Sequence, residues 1–160
     1  VQRLDEGMQS LAEVIKKTTG KDITNYPGAG AAGGMGGGLL AFFNAELKPG
    51  TELLLKAIDF SEKIKGADLI ITGEGKADRQ TAMGKVPYGI LKEAQKEHIP
   101  VIVLAGSIEN LPELNKAGFK GIFSIAPGPI TLEKAMEPEF AKENITRLVS
   151  QLYSVITSFG

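Results

Sequence analysis

Ala67-Asp68-Leu69-Ile70-Ile71-Thr72-Gly73-Glu74-Gly75-Lys76-Ala77-Asp78-Arg79-Gln80-Thr81-Ala82-Met83-Gly84-Lys85-Val86-Pro87 is the stretch on which the reading of this chain turns. Ala67 to Ile71 reads as an apolar strand, the charged and glycine-rich middle as a loop, and Tyr88 to Lys96 as the helix that follows. Such a loop, outside the carboxyl end of a parallel strand and before the next helix, is where α/β folds hold ligands, because free N–H groups at the helix start face a bound anion. Glu74, Asp78 and Lys85 supply ionisable groups there. Thr72, Gln80 and Thr81 add hydrogen-bonding side chains, and the glycines let a ligand approach the backbone closely. A solvated connection is the alternative, since surface loops are polar by default.

Outward from this stretch, Pro100 to Ala105 and Gly121 to Ile125 are two further apolar runs without alternation, the pattern of strands covered on both faces. Helical segments separate them, one near Asn110 to Ala117. The order predicts an α/β fold: a doubly wound, mostly parallel sheet with helices on both faces, Rossmann-like, with right-handed crossovers. All three strand ends then share one edge, which brings Ser107 and the Pro127-Gly128-Pro129 turn toward the Glu74 to Lys85 loop. Ser107 reads either as a cap or as a ligand contact.

The flanks are helical. Leu4, Met8, Leu11, Val14 and Ile15 recur at helical spacing between Val1 and Thr19, and Gly20 ends that helix. Thr51, after the Lys48-Pro49-Gly50 turn, opens a helix predicted to reach Lys65 with Leu53, Leu54, Ala57, Ile58 and Ile64 inward. A short helix covers Glu133 to Met136. The last places Ile145, Leu148, Val149, Leu152 and Ile156 at core spacing, and its end from Thr157 to Gly160 is expected to fray.

Gly28 to Gly38 holds seven glycines in eleven positions. Gly28, Gly30 and Gly33 spell G-x-G-x-x-G, but the dinucleotide fingerprint needs a hydrophobic strand feeding the first glycine, and Asp22-Ile23-Thr24-Asn25-Tyr26-Pro27 is too polar and ends in proline. Gly84-Lys85 likewise fails as a phosphate-binding P-loop, because Arg79 replaces the first glycine and Val86 the Ser or Thr. Each interior helical glycine costs roughly 0.5–1 kcal/mol against alanine. Either a ligand held against the backbone or tight packing by a neighbour must offset that.

Of the 160 residues, 42% are hydrophobic and 23% charged, with a net charge of −1, and no basic cluster marks a nucleic-acid partner. The absence of cysteine excludes disulfides, thiolate chemistry and Cys-type zinc sites. His98, the single histidine, closes a polar helical run and reads as an exposed helix-end residue rather than a catalytic one. No apolar run reaches the roughly 18–20 residues of a membrane span, and no leader is visible, so a cytoplasmic protein without a membrane partner is expected.

Taken in order, Pro27 to Gly34, the Ile71 to Gly75 run with Asp78, Gln80-Thr81 and Gly84-Lys85-Val86-Pro87, Leu104-Ala105-Gly106, and Ser124 to Pro129 resemble the carboxy-terminal part of the bacterial class I glycerate kinases. The resemblance runs from about Leu4 to Ile156. It implies phosphoryl transfer from ATP, with Mg²⁺, to a hydroxyl of D-glycerate. It implies Lys85 at the transferring phosphate or the substrate carboxylate, Glu74 at the magnesium ion or its water shell, and Asp78 orienting and deprotonating the attacking hydroxyl. Gln80 and Thr81, with Thr72 and Ser107, become candidates for holding glycerate, and Gly28, Gly30, Gly33 and Gly34 for holding phosphate or nucleotide. Segment 27–43 is then expected to join two lobes, with 67–130 as the α/β core. Members of that family are about twice as long, and their amino-terminal portion has no counterpart in these residues. A homodimer, or association with that portion, is the expected way to cover the surface it would otherwise bury. A noncatalytic module for a small anion or nucleotide is the alternative.

Overall fold

The computed structural model describes residues 2–109 and 111–158. They fall into two compact units, Val1–Gly50 and Thr51–Gly160.

In the first unit, α1 (Gln2–Thr19) is followed by a turn-rich segment and α2 (Ala31–Phe43). Gly20, with φ +74°, ends α1 as expected. Ala12 and Ile15 of α1 pack with Ile23 and Ala41 into a small core. Only part of the expected stripe goes inward, since Leu4, Leu11 and Val14 are exposed. α2 opens with a left-handed bend, Ala32, Gly33 and Gly34 having φ of 51°, 68° and 94°. Beyond the bend the glycines serve packing. A Cβ on Gly36 would collide with the Gly28 carbonyl oxygen, and one on Gly37 would lie 2.6 Å from Ile23 Cδ1. The Gly37 N–H donates to the Ala29 carbonyl at 2.8 Å, so the helix sits directly on the Gly28–Ala29 backbone. Asn44 stops α2 in the left-handed region, and the Lys21 ammonium donates to the Ala41 carbonyl at 2.9 Å, a cation at the negative end of the helix.

The second unit is built on one sheet in the order β1-β2-β3, all parallel: β1 (Ile70–Ala77), β2 (Val101–Ile108) and β3 (Gly121–Ser124). α3 (Gly50–Ala57), which opens at the unit boundary, and α4 (Phe60–Lys63) precede it. α5 (Val86–Lys96) connects β1 to β2, α6 (Leu111–Ala117) connects β2 to β3, and α7 (Leu132–Ala135) and α8 (Pro138–Thr157) follow. The α/β class and parallel topology agree with the sequence reading. The core gathers Val101, Val103 and Ala105 of β2, Leu91 and Ala94 of α5, Leu114 of α6, Phe119 and Ile64. Ile102 and Leu104 are also buried, so β2 is covered on both faces.

Several boundaries differ from expectation. β1 starts later than Ala67 and runs through the supposed loop to Ala77, because the ladder with β2 continues from Ile70↔Val101 to Ala77↔Ile108. Glycine permits this: a Cβ on Gly106 would stand 2.8 Å from the Gly75 carbonyl oxygen. β3 ends at Ser124, although the Ile125 N–H still reaches the Ala105 carbonyl at 2.9 Å. The predicted Thr51 to Lys65 helix is two, broken where Asp59 takes a left-handed φ of 51°, a conformation Asp tolerates. Leu55 and Ile64 are the buried members there, while Leu53, Leu54 and Ile58 are exposed. Thr51 lies within α3 rather than capping it, and its methyl fills the space beside Gly89. In α8, Leu148, Val149 and Leu152 are half-buried, but Ile145 and Ile156 are exposed. Buried Asn144 donates its amide to the Phe140 carbonyl at 2.8 Å. Val1, Asn110, Phe159 and Gly160, on which three expected helix ends fell, lie outside the described residues.

Candidate active site

The carboxyl ends of β1 and β2 lie side by side and carry the charge. Because β1 is extended to Ala77, the two-residue period puts Thr72, Glu74 and Lys76 on one face, opposite Val103, Ala105 and Ser107 of β2. Thr72 is 7% exposed and set back within the sheet. Glu74 is half-buried, and among the described residues nothing pairs with its carboxylate. Lys76 extends to Glu109 at 2.8 Å; this hydrogen bond and charge, with Asp78 contributing less, hold the lysine above its usual pKa.

After β1 the chain makes a 3₁₀ turn, Arg79–Met83, capped by Asp78. The Asp78 Oδ1 accepts the N–H groups of Gln80 at 2.8 Å and Thr81 at 3.3 Å. In return the Thr81 hydroxyl accepts the Asp78 N–H at 3.1 Å, which completes a capping box. That hydroxyl also reaches the Lys76 carbonyl at 3.4 Å. Asp78 Oδ2 takes no hydrogen bond among the described residues. Gly84, at φ 121°, then turns the chain sharply. Lys85 follows as the N-cap of α5, with Pro87 buried in the first turn. Its ammonium stands 3.7 Å from Asp78 Oδ1, not beside Glu74. Both side chains retain solvent access.

Glu74, Asp78, Gln80 and Lys85 thus lie along one edge, where the structure pairs Asp78 with Lys85, and Ser107 is exposed in β2 opposite Lys76. Ser107 is a strand residue, neither a turn nor a cap, since β2 runs on to Ile108. Thr81 is fully buried at 0% exposure, and its hydroxyl is already engaged by the Asp78 N–H. Gly28, Gly30, Gly33 and Gly34 belong to the first unit. Gly28, Gly33 and Gly34 take positive φ, and an added Cβ at Gly30 or Gly33 would meet nothing within 4 Å, so that backbone is open to approach. His98 closes its helical run in an exposed left-handed turn after α5, with φ 58°.

Lys76 and Glu109 were not singled out from sequence. The signal was present: once β1 is carried to Ala77, Lys76 falls on the face of Glu74. Among the described residues no three Asp, Glu or His side chains group to cage a metal. Mg²⁺ does not require such a cage, because it keeps several waters and is commonly held by one or two carboxylates plus substrate phosphates. The unpaired Glu74 carboxylate fits that role. Two cations beside two carboxylates, on an edge next to a helix start, can bind a phosphorylated or carboxylated solute and accept a proton from it.

The described residues contain no helix long and apolar enough to cross a membrane. Comparison with known proteins gives a consistent result. The chain is 44% identical to a glycerate kinase of Halalkalibacterium halodurans over 138 residues, 86% of this chain and 36% of that protein. It is 41% identical to a Bacillus cereus glycerate kinase over 97% of this chain and 40% of that protein. With the glycerate 2-kinase of Escherichia coli K12 it shares 43% identity over 90% of this chain and 38% of that one. A crystal structure assigned to glycerate kinase 2 of Salmonella typhimurium LT2 superposes with a TM-score of 0.69 at 34% identity, covering 98% of this chain and 39% of that one. The chain therefore spans between 36% and 40% of the length of these relatives. With the model of the glycerate kinase family matching residues 1–157, the chain belongs to that family.

Proposed function

We propose that this chain is the carboxy-terminal part of a class I glycerate kinase and carries acid, base and phosphate-neutralising groups for phosphoryl transfer from ATP to a hydroxyl of D-glycerate. The observation that carries the reading is the fixed Asp78 carboxylate 3.7 Å from Lys85 at the carboxyl edge of a parallel sheet. In the reaction the glycerate hydroxyl oxygen bonds to the γ-phosphorus while the bond to the β–γ bridging oxygen breaks, and ADP leaves. The hydroxyl proton passes to Asp78, whose Oδ2 is available. Lys85 neutralises charge on the transferring group or anchors the glycerate carboxylate, and Gln80 and Ser107 hydrogen-bond the substrate. Mg²⁺, when bound, would neutralise phosphate charge, with Glu74 holding it or its waters.

We further place the protein in the cytoplasm, with its exposed apolar faces covered by a second copy or by amino-terminal glycerate kinase polypeptide. Gly28, Gly30, Gly33 and Gly34 are assigned to phosphate or nucleotide, and segment 27–43 to the junction of two lobes. The test is a coupled ADP-release assay with D-glycerate and Mg²⁺, run on this chain and on a glycerate kinase polypeptide containing it. Lys85→Ala is expected to lower kcat roughly 10²–10³-fold, and Asp78→Asn about 10²–10⁴-fold. No glycerate-dependent turnover from a folded full-length protein contradicts the proposal. Tight binding of glycerate or ATP without turnover instead assigns the edge to a noncatalytic anion-binding module.

A further inference from the structure

Thr81 stands apart from its neighbours in the 3₁₀ turn. Of the buried polar residues among those described, Thr72, Thr81 and Asn144, it alone has 0% exposure, and its side chain and backbone are both directed at Asp78. We infer that Thr81 is a positioning residue that aims the Asp78 carboxylate at the substrate hydroxyl, and that it makes no contact with the substrate itself. This inference rests on the kinase reading.

The geometry is closed on one side and open on the other. The Thr81 hydroxyl accepts the Asp78 N–H at 3.1 Å, which fixes the backbone from which the carboxylate projects. The Thr81 N–H donates to Asp78 Oδ1 at 3.3 Å and to the Asp78 carbonyl at 3.0 Å, and the Gln80 N–H adds a 2.8 Å bond to the same carboxylate oxygen. The longer contact to the Lys76 carbonyl, 3.4 Å, ties the turn to the last residues of β1. One oxygen of Asp78, Oδ1, is thereby committed, and it also stands 3.7 Å from the Lys85 ammonium, while Oδ2 takes no hydrogen bond among the described residues. A Ser or Thr in place of Asp78 could cap the turn equally well but would have no second oxygen to offer. The cap therefore uses a residue whose spare acceptor is oriented at no further cost in side-chain freedom. A general base contributes only when it lies within hydrogen-bond reach of the proton it takes, and a misplacement on the order of 1 Å can cost 10²-fold.

Thr81→Val and Thr81→Ser separate this from a purely structural role. Two quantities are measured in the glycerate kinase polypeptide that turns over: hydrogen exchange at the Asp78 amide, and kcat with KM for D-glycerate and for ATP. Thr81→Val is expected to speed Asp78 exchange at least about tenfold and to lower kcat roughly 10- to 100-fold, with both KM values within about twofold of wild type. Thr81→Ser, which keeps the hydroxyl, should restore both to within about threefold. If Thr81→Val does not fold, Thr81→Ala removes the same hydroxyl without adding volume. A folded Val or Ala variant with wild-type kcat overturns the inference, as does a rise in KM for glycerate at unchanged kcat, which would mark a direct substrate contact. Unchanged protection of the Asp78 amide overturns the geometry even if turnover falls. A wild-type protein with no glycerate-dependent turnover overturns the kinase reading, and the catalytic half of this inference falls with it, while the exchange measurement still tests the box.

Discussion

At Asp78 one carboxylate oxygen caps the turn and stands 3.7 Å from the Lys85 ammonium, while the other takes no hydrogen bond among the described residues and is the one assigned to the chemistry. Residue types alone pointed to Asp78, Lys85 and Glu74, because a strand end crowded with ionisable groups is unusual for a mere connection. Which partner Lys85 takes was not legible, since that depends on the turn at Gly84, and the burial of Thr81 against Asp78 emerges only from the fold. The glycines of α2 offer a similar lesson and a contrast that can be measured. Gly36→Ala would press a methyl against the Gly28 carbonyl, a backbone atom that cannot swing away, and is expected to destabilise by roughly 1–3 kcal/mol. Gly38→Ala meets nothing within 4 Å and should stabilise by about 0.5–1 kcal/mol through helix propensity. Urea midpoints for the two variants check this directly; equal effects would show that tight packing does not explain the glycines. Sequence reading left ligand contact and packing open for this stretch, because only the path of the Gly28–Ala29 backbone distinguishes them.

Among the elements, the sheet was the most legible and its edges the least. Unalternating runs of Ile, Val and Leu announced strands covered on both faces, but the polar end of β1 carries no apolar signal, and only pairing with β2 extends it to Ala77. The Thr51 to Lys65 segment was read as one helix because Asp59 resembles any polar helix position until its backbone turns left-handed. α4 is instead tied to α5 by the Ser61 hydroxyl, which donates to Glu93 at 2.8 Å. A hydrogen bond from Lys96, then that from Ser61, holds the Glu93 carboxyl below its usual pKa. A depressed carboxyl contributes stability above its unfolded pKa and loses it as pH falls through the folded value. Glu93→Gln should therefore lower Tm by roughly 1–4 °C at pH 7, and the difference should vanish near pH 3. Melting curves at the two pH values test it; a difference that persists at pH 3 would mean that packing, not charge, is responsible.

For the whole molecule, the exposed apolar residues were the least predictable feature, because helical periodicity identifies a face without naming what covers it. Met35, Leu39, Phe42 and Phe43 form one such ridge on α2, with exposures of 63%, 39%, 60% and 76%, and Tyr153 and Val155 leave α8 apolar as well. A soluble protein rarely leaves so much in water. The 160-residue chain is accordingly expected to self-associate at micromolar concentration, and the double substitution Phe42→Ser, Phe43→Ser to reduce that association in sedimentation velocity. A wild-type monomer at 100 micromolar, or a variant that associates equally, would remove the ridge from the account. The central claim concerns the other unit, where the carboxyl edge of the sheet is assigned the chemistry. Its most direct test is a backbone-amide NMR titration with D-glycerate and with ATP and Mg²⁺. Shifts concentrated in residues 72–86 and 105–107 are expected, and they should be lost in Lys85→Ala. Saturating shifts confined to other segments, or none in a folded protein with amino-terminal glycerate kinase polypeptide bound, would contradict it.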